Sequence, residues 1–201
     1  MKLFLGYSLV VLYLLCGSFC CRYEDDYDFV TVEAEITNLA TIEGNKAVFV
    51  QNEILYLTVN IPRKIVTTKG KSIDLAEDLG AQSCSFRLKL RKKGIFETPS
   101  LLVLSENEIF LEEGDVSLDD YEESVLNCSA VLQENSYVLH LGIQLKEKGD
   151  FILSQDMQTK SEWKFYFSDS ELEDNTFEDV TIISPLDQEN STVLGFEFLV
   201  E

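Results

Sequence analysis

Ser83-Cys-Ser-Phe-Arg-Leu-Lys-Leu-Arg91 alternates without a break: Cys84, Phe86, Leu88 and Leu90 fall on one side, and Ser85, Arg87, Lys89 and Arg91 on the other. Successive side chains of a pleated strand point to opposite faces, so this period of two predicts a strand with one face buried and one in water. The same pattern recurs along the chain. Tyr137, Leu139, Leu141, Ile143 and Leu145 oppose Val138, His140, Gly142, Gln144 and Lys146. Trp163, Phe165 and Phe167 alternate with Lys164 and Tyr166, and Leu194, Phe196, Phe198 and Val200 with Gly195 and Glu197. Further strands are expected over 29–36, 54–61, 100–104, 125–132, 150–154 and 179–183.

One segment argues for helix. Ser72-Ile-Asp-Leu-Ala-Glu-Asp-Leu-Gly80 combines a serine cap, good helix formers and a closing glycine, which predicts about two turns near residues 73–79. Many short strands with one short helix predict an all-β fold, an antiparallel β-sandwich. The stretch Glu147-Lys-Gly-Asp150 reads as a hairpin turn with Gly149 at positive φ, and Leu111-Glu-Glu-Gly-Asp-Val-Ser-Leu118 shares its Glu-x-Gly-Asp chemistry. One match of that length is shared turn chemistry, so no internal repeat is inferred.

The chain is 201 residues long with a formal charge of −20, and 45% of its residues are hydrophobic. That apolar content builds a core in spite of the charge. A surface so acidic repels phosphate backbones and anionic headgroups, which excludes nucleic acid as a partner and any membrane contact other than through a lipid anchor.

At the N-terminus, Lys2 precedes the uncharged run Leu3-Phe-Leu-Gly-Tyr-Ser-Leu-Val-Val-Leu-Tyr-Leu-Leu15, followed by Cys-Gly-Ser-Phe-Cys-Cys over 16–21. The run is too short for the roughly 18 or more residues that cross a bilayer, and its flanks are those of an export signal. Residues 1–20 are therefore read as a signal peptide, 21–28 as an acidic tether and 29–201 as a single β-sandwich domain. Cleavage after Ser18 would release a soluble secreted protein. Cleavage at Cys20 or Cys21 would expose a thiol for acylation, and each buried methylene of an acyl chain adds about 0.8 kcal/mol of membrane affinity.

A cysteine closing the apolar run and followed at once by Arg22-Tyr-Glu-Asp-Asp-Tyr-Asp28 resembles the start of surface-exposed lipoproteins of the Bacteroidota, where an acidic cluster behind the acylated cysteine accompanies transport to the cell surface. The resemblance implies lipidation at Cys21, or at Cys20, and a location at the outer membrane or cell surface. Ser18, Phe19 and Cys20 stand where a lipobox ordinarily has leucine at its first position and a small residue at its last. The segment 137–145, its turn and 151–153 resemble the late hairpin of immunoglobulin-like domains, which makes that arrangement preferred over a jelly roll or barrel. The tryptophan such domains carry between two core cysteines is displaced, since Trp163 follows both Cys84 and Cys128.

Candidate sites are sparse. Cys84 and Cys128 in an exported protein suggest a disulfide, worth about 4 kcal/mol for a loop of that size, and the alternative is a pair of buried free thiols. His140 is the sole histidine and sits at an outward strand position with no catalytic motif around it. Trp163 with Tyr166 could stack a sugar, the alternative being core aromatics. Acids cluster at Asp119, Asp120, Glu122 and Glu123, and again around Asp169, Glu171, Glu173 and Asp174. The second cluster has the oxygen ligands calcium uses but neither the spacing nor the glycine of a calcium loop, so it reads equally as a solvated loop and no cofactor is assigned. Asn127-Cys-Ser and Asn190-Ser-Thr match the glycosylation sequon.

The expectation is an exported, surface-held lipoprotein, not an enzyme, whose β-sandwich binds a protein or glycan or serves the cell envelope. The alternatives are a soluble secreted recognition protein with a disulfide-bonded sandwich, and a secreted hydrolase using a carboxylate pair, for which two of 36 acids would suffice.

Overall fold

A computed structural model describes residues 28–94, 100–119, 124–155, 162–167, 176–185, 191–192 and 195–201. The strands in chain order are β1 (Asp28–Glu35), β2 (Ala40–Ile42), β3 (Val48–Phe49), β4 (Ile54–Pro62), β5 (Lys64–Val66), β6 (Ser72–Asp74), β7 (Ser83–Lys92), β8 (Ser100–Leu101) and β9 (Ile109–Glu113). They continue with β10 (Asp115–Leu118), β11 (Val125–Gln133), β12 (Ser136–Gln144), β13 (Gly149–Gln155), β14 (Glu162–Phe167), β15 (Thr176–Pro185), β16 (Ser191–Thr192) and β17 (Gly195–Val200). The all-β sandwich read from the alternation is what forms. The stretch 100–104 keeps only the two residues of β8 as strand.

Two sheets face each other, with the layering expected of an immunoglobulin-like sandwich. The smaller runs β1-β15-β14, with β1 parallel to β15 and β14 antiparallel to it. The larger runs β16-β17-β13-β7-β11-β12-β4-β2. It curls, because β3 pairs with β17 at one end and leads through a four-residue turn into β4 at the other. Asn52, at φ 71°, donates its amide to the Leu145 carbonyl at 2.8 Å and helps hold that turn.

The alternation of β7 is carried straight into burial. Cys84, Phe86, Leu88 and Leu90 all lie in the core, and β14 packs on them with Trp163, Phe165 and Phe167. The Phe86 ring meets Phe165 edge-on at 5.3 Å, Trp163 meets Phe196 at 5.6 Å, and Tyr137 meets Phe167 at 5.0 Å. Pairs in this geometry add about 0.5–1.5 kcal/mol each beyond the area they bury. The Tyr137 hydroxyl donates to the Ala81 carbonyl at 2.8 Å, so its polar end is satisfied, and burial raises its ionisation to about 12.

Two local expectations are corrected. The helix near 73–79 does not form. Ser72–Asp74 pairs as β6 with β5, Ile73 opposite Ile65, and only a single turn follows. Asp74, not Ser72, caps that turn: its Oδ1 accepts the amides of Ala76 and Glu77 at 3.1 Å each. Arg63 donates to the same oxygen at 2.7 Å and its carbonyl accepts the Leu75 amide at 2.9 Å, so tertiary bonds fix the chain before a second turn can add.

The hairpin expected across 147–150 also fails. Gly149 does take positive φ, at 136°, but β12 and β13 are not neighbours: β13 lies between β7 and β17. The turn carries the chain across the curl. Leu145 gives its amide to Glu53 and takes that of Asn52, and Gln51 donates through its side chain to the Lys146 carbonyl at 2.8 Å.

Candidate functional site

Where the β11–β12 hairpin opens, the large sheet splits. β11 and β12 pair only near their turn, from Gln133↔Ser136 to Val131↔Val138. Beyond that point β10 takes the place beside β11 and β9 the place beside β12. Gly114 alone links β9 to β10, at φ 90°, and an added Cβ there would sit 2.7 Å from both Leu139 Cδ1 and the Ser129 carbonyl. Only glycine fits this apex. Among the described residues β9 and β10 form no ladder with each other, so two strand edges, each paired on its far side alone, face across a V-shaped cleft.

Register shows what lines the cleft. Ile109 is opposite Ile143 and Leu111 opposite Leu141, while Val116 is opposite Cys128 and Leu118 opposite Leu126. All four partners are fully buried core residues, so the four cleft residues lie on the core-facing side of the sheet. None of the four is itself fully buried, and Leu111 is 41% exposed. Ile109, Val116 and Leu118 pack in part against the core, and Leu111 is the exposed member of the four. The opposite side of the cleft is acidic: Glu113, Asp115 and Asp119 lie on the outer face, and Glu106 stands at the mouth. The cleft is open to solvent and offers about 490 Å³.

A bulge shapes the outer face. Pairing on β12 moves from His140↔Glu113 to Leu141↔Leu111, so Glu112 is the extra residue, and its carboxylate lies 2.9 Å from His140 Nδ1. Tyr56 packs beside the imidazole at 5.3 Å, and Phe110, 39% exposed, lies over Gly142 close to Tyr56 and Ile54. Asp119 pairs with Arg87 at 3.2 Å and takes a bond from the Asn127 side chain at 3.4 Å, so that sequon asparagine is engaged inside β11.

The other candidates fall as follows. Cys84 and Cys128 are both free and buried, and the expected disulfide is not formed. Cys84 is opposite Ala130 and Cys128 opposite Phe86, which makes the two cysteines diagonal neighbours. Such neighbours lie about 7 to 8 Å apart, beyond the span a disulfide bridges. Burial pushes the Cys84 thiol up to about 12 and raises that of Cys128 as well, so both stay protonated at neutral pH. Trp163 is fully buried while Tyr166 is 60% exposed on the opposite face, so they form no shared platform. Cys20, Cys21, Asp169, Glu171, Glu173, Asp174, Asn190 and the acids 120–123 lie outside the described residues. Among the described residues no group of three or more metal-ligating side chains converges.

Sequence reasoning passed over the cleft. Its signal was partly present in 109–118, where Val116 and Leu118 alternate with Asp115 and Ser117 after Gly114, while Ile109-Phe110-Leu111 before it is a continuous apolar run that hides which face is inward.

No family model and no curated protein matches the chain. Among solved structures, the type II cohesin dyad from the adaptor ScaA scaffoldin of Acetivibrio cellulolyticus is similar at 13% identity with a TM-score of 0.30, over 79% of this chain and 49% of that one. The chain spans about half the length of that structure.

Proposed function

We propose that this protein is an exported, non-catalytic binding β-sandwich held at a cell surface by acylation of Cys21, or of Cys20, with the β9–β10 cleft as its binding face. The observation that carries the binding role is the cleft lined by exposed Leu111 and the partly exposed Ile109, Val116 and Leu118 on an otherwise strongly acidic protein. An exposed patch of this kind, rimmed by charge, marks an interaction site more often than a tolerated defect. The tether rests on the N-terminal pattern, a short apolar run, paired cysteines and acids at once behind them. The soluble, disulfide-bonded alternative leaned on a Cys84–Cys128 bridge, and two separate protonated thiols remove that support.

Intact mass measurement on protein made with its own signal in a lipoprotein-processing host tests the tether. The expected product begins at Cys21 or Cys20 and carries acyl mass, and replacing both cysteines by serine moves the protein into the soluble fraction. An unmodified chain starting at Phe19 would overturn it.

A further inference from the structure

The cleft has two sides of opposite character, and that pairing specifies an occupant. Toward the core it offers Ile109, Leu111, Val116 and Leu118; Glu106 and Asp119 line it as well, and Glu113 and Asp115 flank its apex on the outer face. Between them run two strand edges that are paired only on the sides away from the cleft. A strand bonds to its neighbours through alternate residues, so part of the backbone N–H and C=O of β9 and β10 points into the opening. An extended chain entering there meets backbone partners in the plane of the sheet, apolar side chains on one face and carboxylates on the other.

We infer that the β9–β10 cleft binds an extended segment of a partner protein that alternates apolar and basic residues, taken up by strand addition. The alternation is dictated by the pleat: side chains of an added strand point by turns toward the core and toward the acidic lip. The basic choice follows from charge complementarity with Glu106, Glu113 and Asp115 on a chain of net charge −20. The apolar residues of such an occupant would bury Leu111 and the partly exposed side chains beside it. The inference deepens the binding role proposed above and is independent of how the protein is anchored.

The test uses the mature chain in detergent and a synthetic peptide of about seven residues alternating lysine and valine, the length a short edge strand can pair. Calorimetry is expected to give a dissociation constant on the order of 10–100 μM, falling in strength about tenfold or more for each of three controls. The controls replace lysine by glutamate, replace valine by serine, or N-methylate alternate backbone amides. Leu111→Asp is expected to abolish binding while the melting temperature holds. The N-methylated peptide keeps the test decisive if that variant fails to fold. Equal binding of the N-methylated or serine peptide would overturn strand addition in favour of simple charge attraction. Self-association that Leu111→Asp removes would assign the cleft to a second copy of the chain. Binding of a glycan, lost in the same variant, would keep a binding role and sink the peptide partner. An unacylated N-terminus would leave this inference untouched.

Discussion

The outer edge of β14 and the facing edges of β9 and β10 pose one physical problem, and the protein treats them in opposite ways. β14 ends the small sheet, and its outward backbone groups are engaged at Lys164 and at the Tyr166 carbonyl. Gln155 takes the Lys164 amide at 2.8 Å and donates to the Lys164 carbonyl at 2.6 Å, so one side-chain amide does what a neighbouring strand would do. Cys84 Sγ approaches the Tyr166 carbonyl at 3.6 Å, one pleat further on. The aromatic side chains of β14 meanwhile sit fully in the core. At β9 and β10 no side chain plays the part of Gln155 among the described residues, and the core-facing side chains are only partly buried, Leu111 least of all. A sheet edge left open invites pairing, so proteins ordinarily blunt it. Here one edge is blunted and another, lined with apolar groups and rimmed with acids, is not. The difference is the physical basis of the proposed binding face.

The contrast can be broken first at its sealed end. Trp163→Ala removes a fully buried ring packed on Phe86 and Phe196 and is expected to cost about 3–5 kcal/mol in urea unfolding. A loss below about 1 kcal/mol would mean that the small sheet does not close the core. Next in size is Gly114→Ala at the apex of the cleft. Its Cβ would press on the Ser129 carbonyl at positive φ, and about 2–4 kcal/mol of destabilisation is expected. A neutral outcome would show that the apex is loose and the cleft geometry soft.

Gln155→Ala sharpens the comparison directly by unsealing β14. Two hydrogen bonds go, for about 1–3 kcal/mol, and exchange of the Lys164 amide should accelerate in hydrogen-exchange measurements. If that amide is no better protected in the parent than in the variant, the edge was never sealed. At the open end, Leu111→Ala is expected to cost under about 1 kcal/mol, since the side chain is only partly buried. A cost like that of Trp163 would show the cleft to be closed in solution.

The smallest effect is set by acid. Arg63 beside Asp74, helped by the Ala76 and Glu77 amides, holds that carboxyl down at about 2. The folded value lies below the unfolded one, near 3.9, so the stabilisation is fully present above about pH 4 and lost as pH falls toward 2. Melting temperature followed over that window should fall more steeply in the parent than in Asp74→Asn; identical slopes would remove Asp74 from the acid response.

Alternation read from the residues alone placed β7, β12, β14 and β17 and sorted their inner from outer side chains, because the period of two is a local property of the pleat; β4 and β11 were expected as strands without their faces. Glu-x-Gly-Asp likewise announced positive φ at both Gly114 and Gly149, because only glycine takes that conformation without strain. What the period cannot carry is the identity of a strand's neighbour. The segments 137–145 and 151–153 are joined by a short turn and look like a hairpin, yet β13 pairs with β7 and β17, since the curl of the sheet brings those strands closer than the turn does. The helical signal of 73–79 was overridden in the same way, by the β5 ladder and by Arg63 reaching Asp74.

The cleft belongs to this second class. Its residues were legible as apolar positions on either side of a turn glycine, but which of them face the core depends on the register of β9 on β12 and of β10 on β11, and that is settled between segments apart in the chain. Likewise the cysteines were legible as a pair and only the register of β7 on β11 set them on the diagonal, out of reach of each other. Local chemistry thus determined which faces are apolar and where the backbone turns. Only long-range pairing decided which of those faces is covered, because burial is a property of two surfaces and the chain specifies each of them separately.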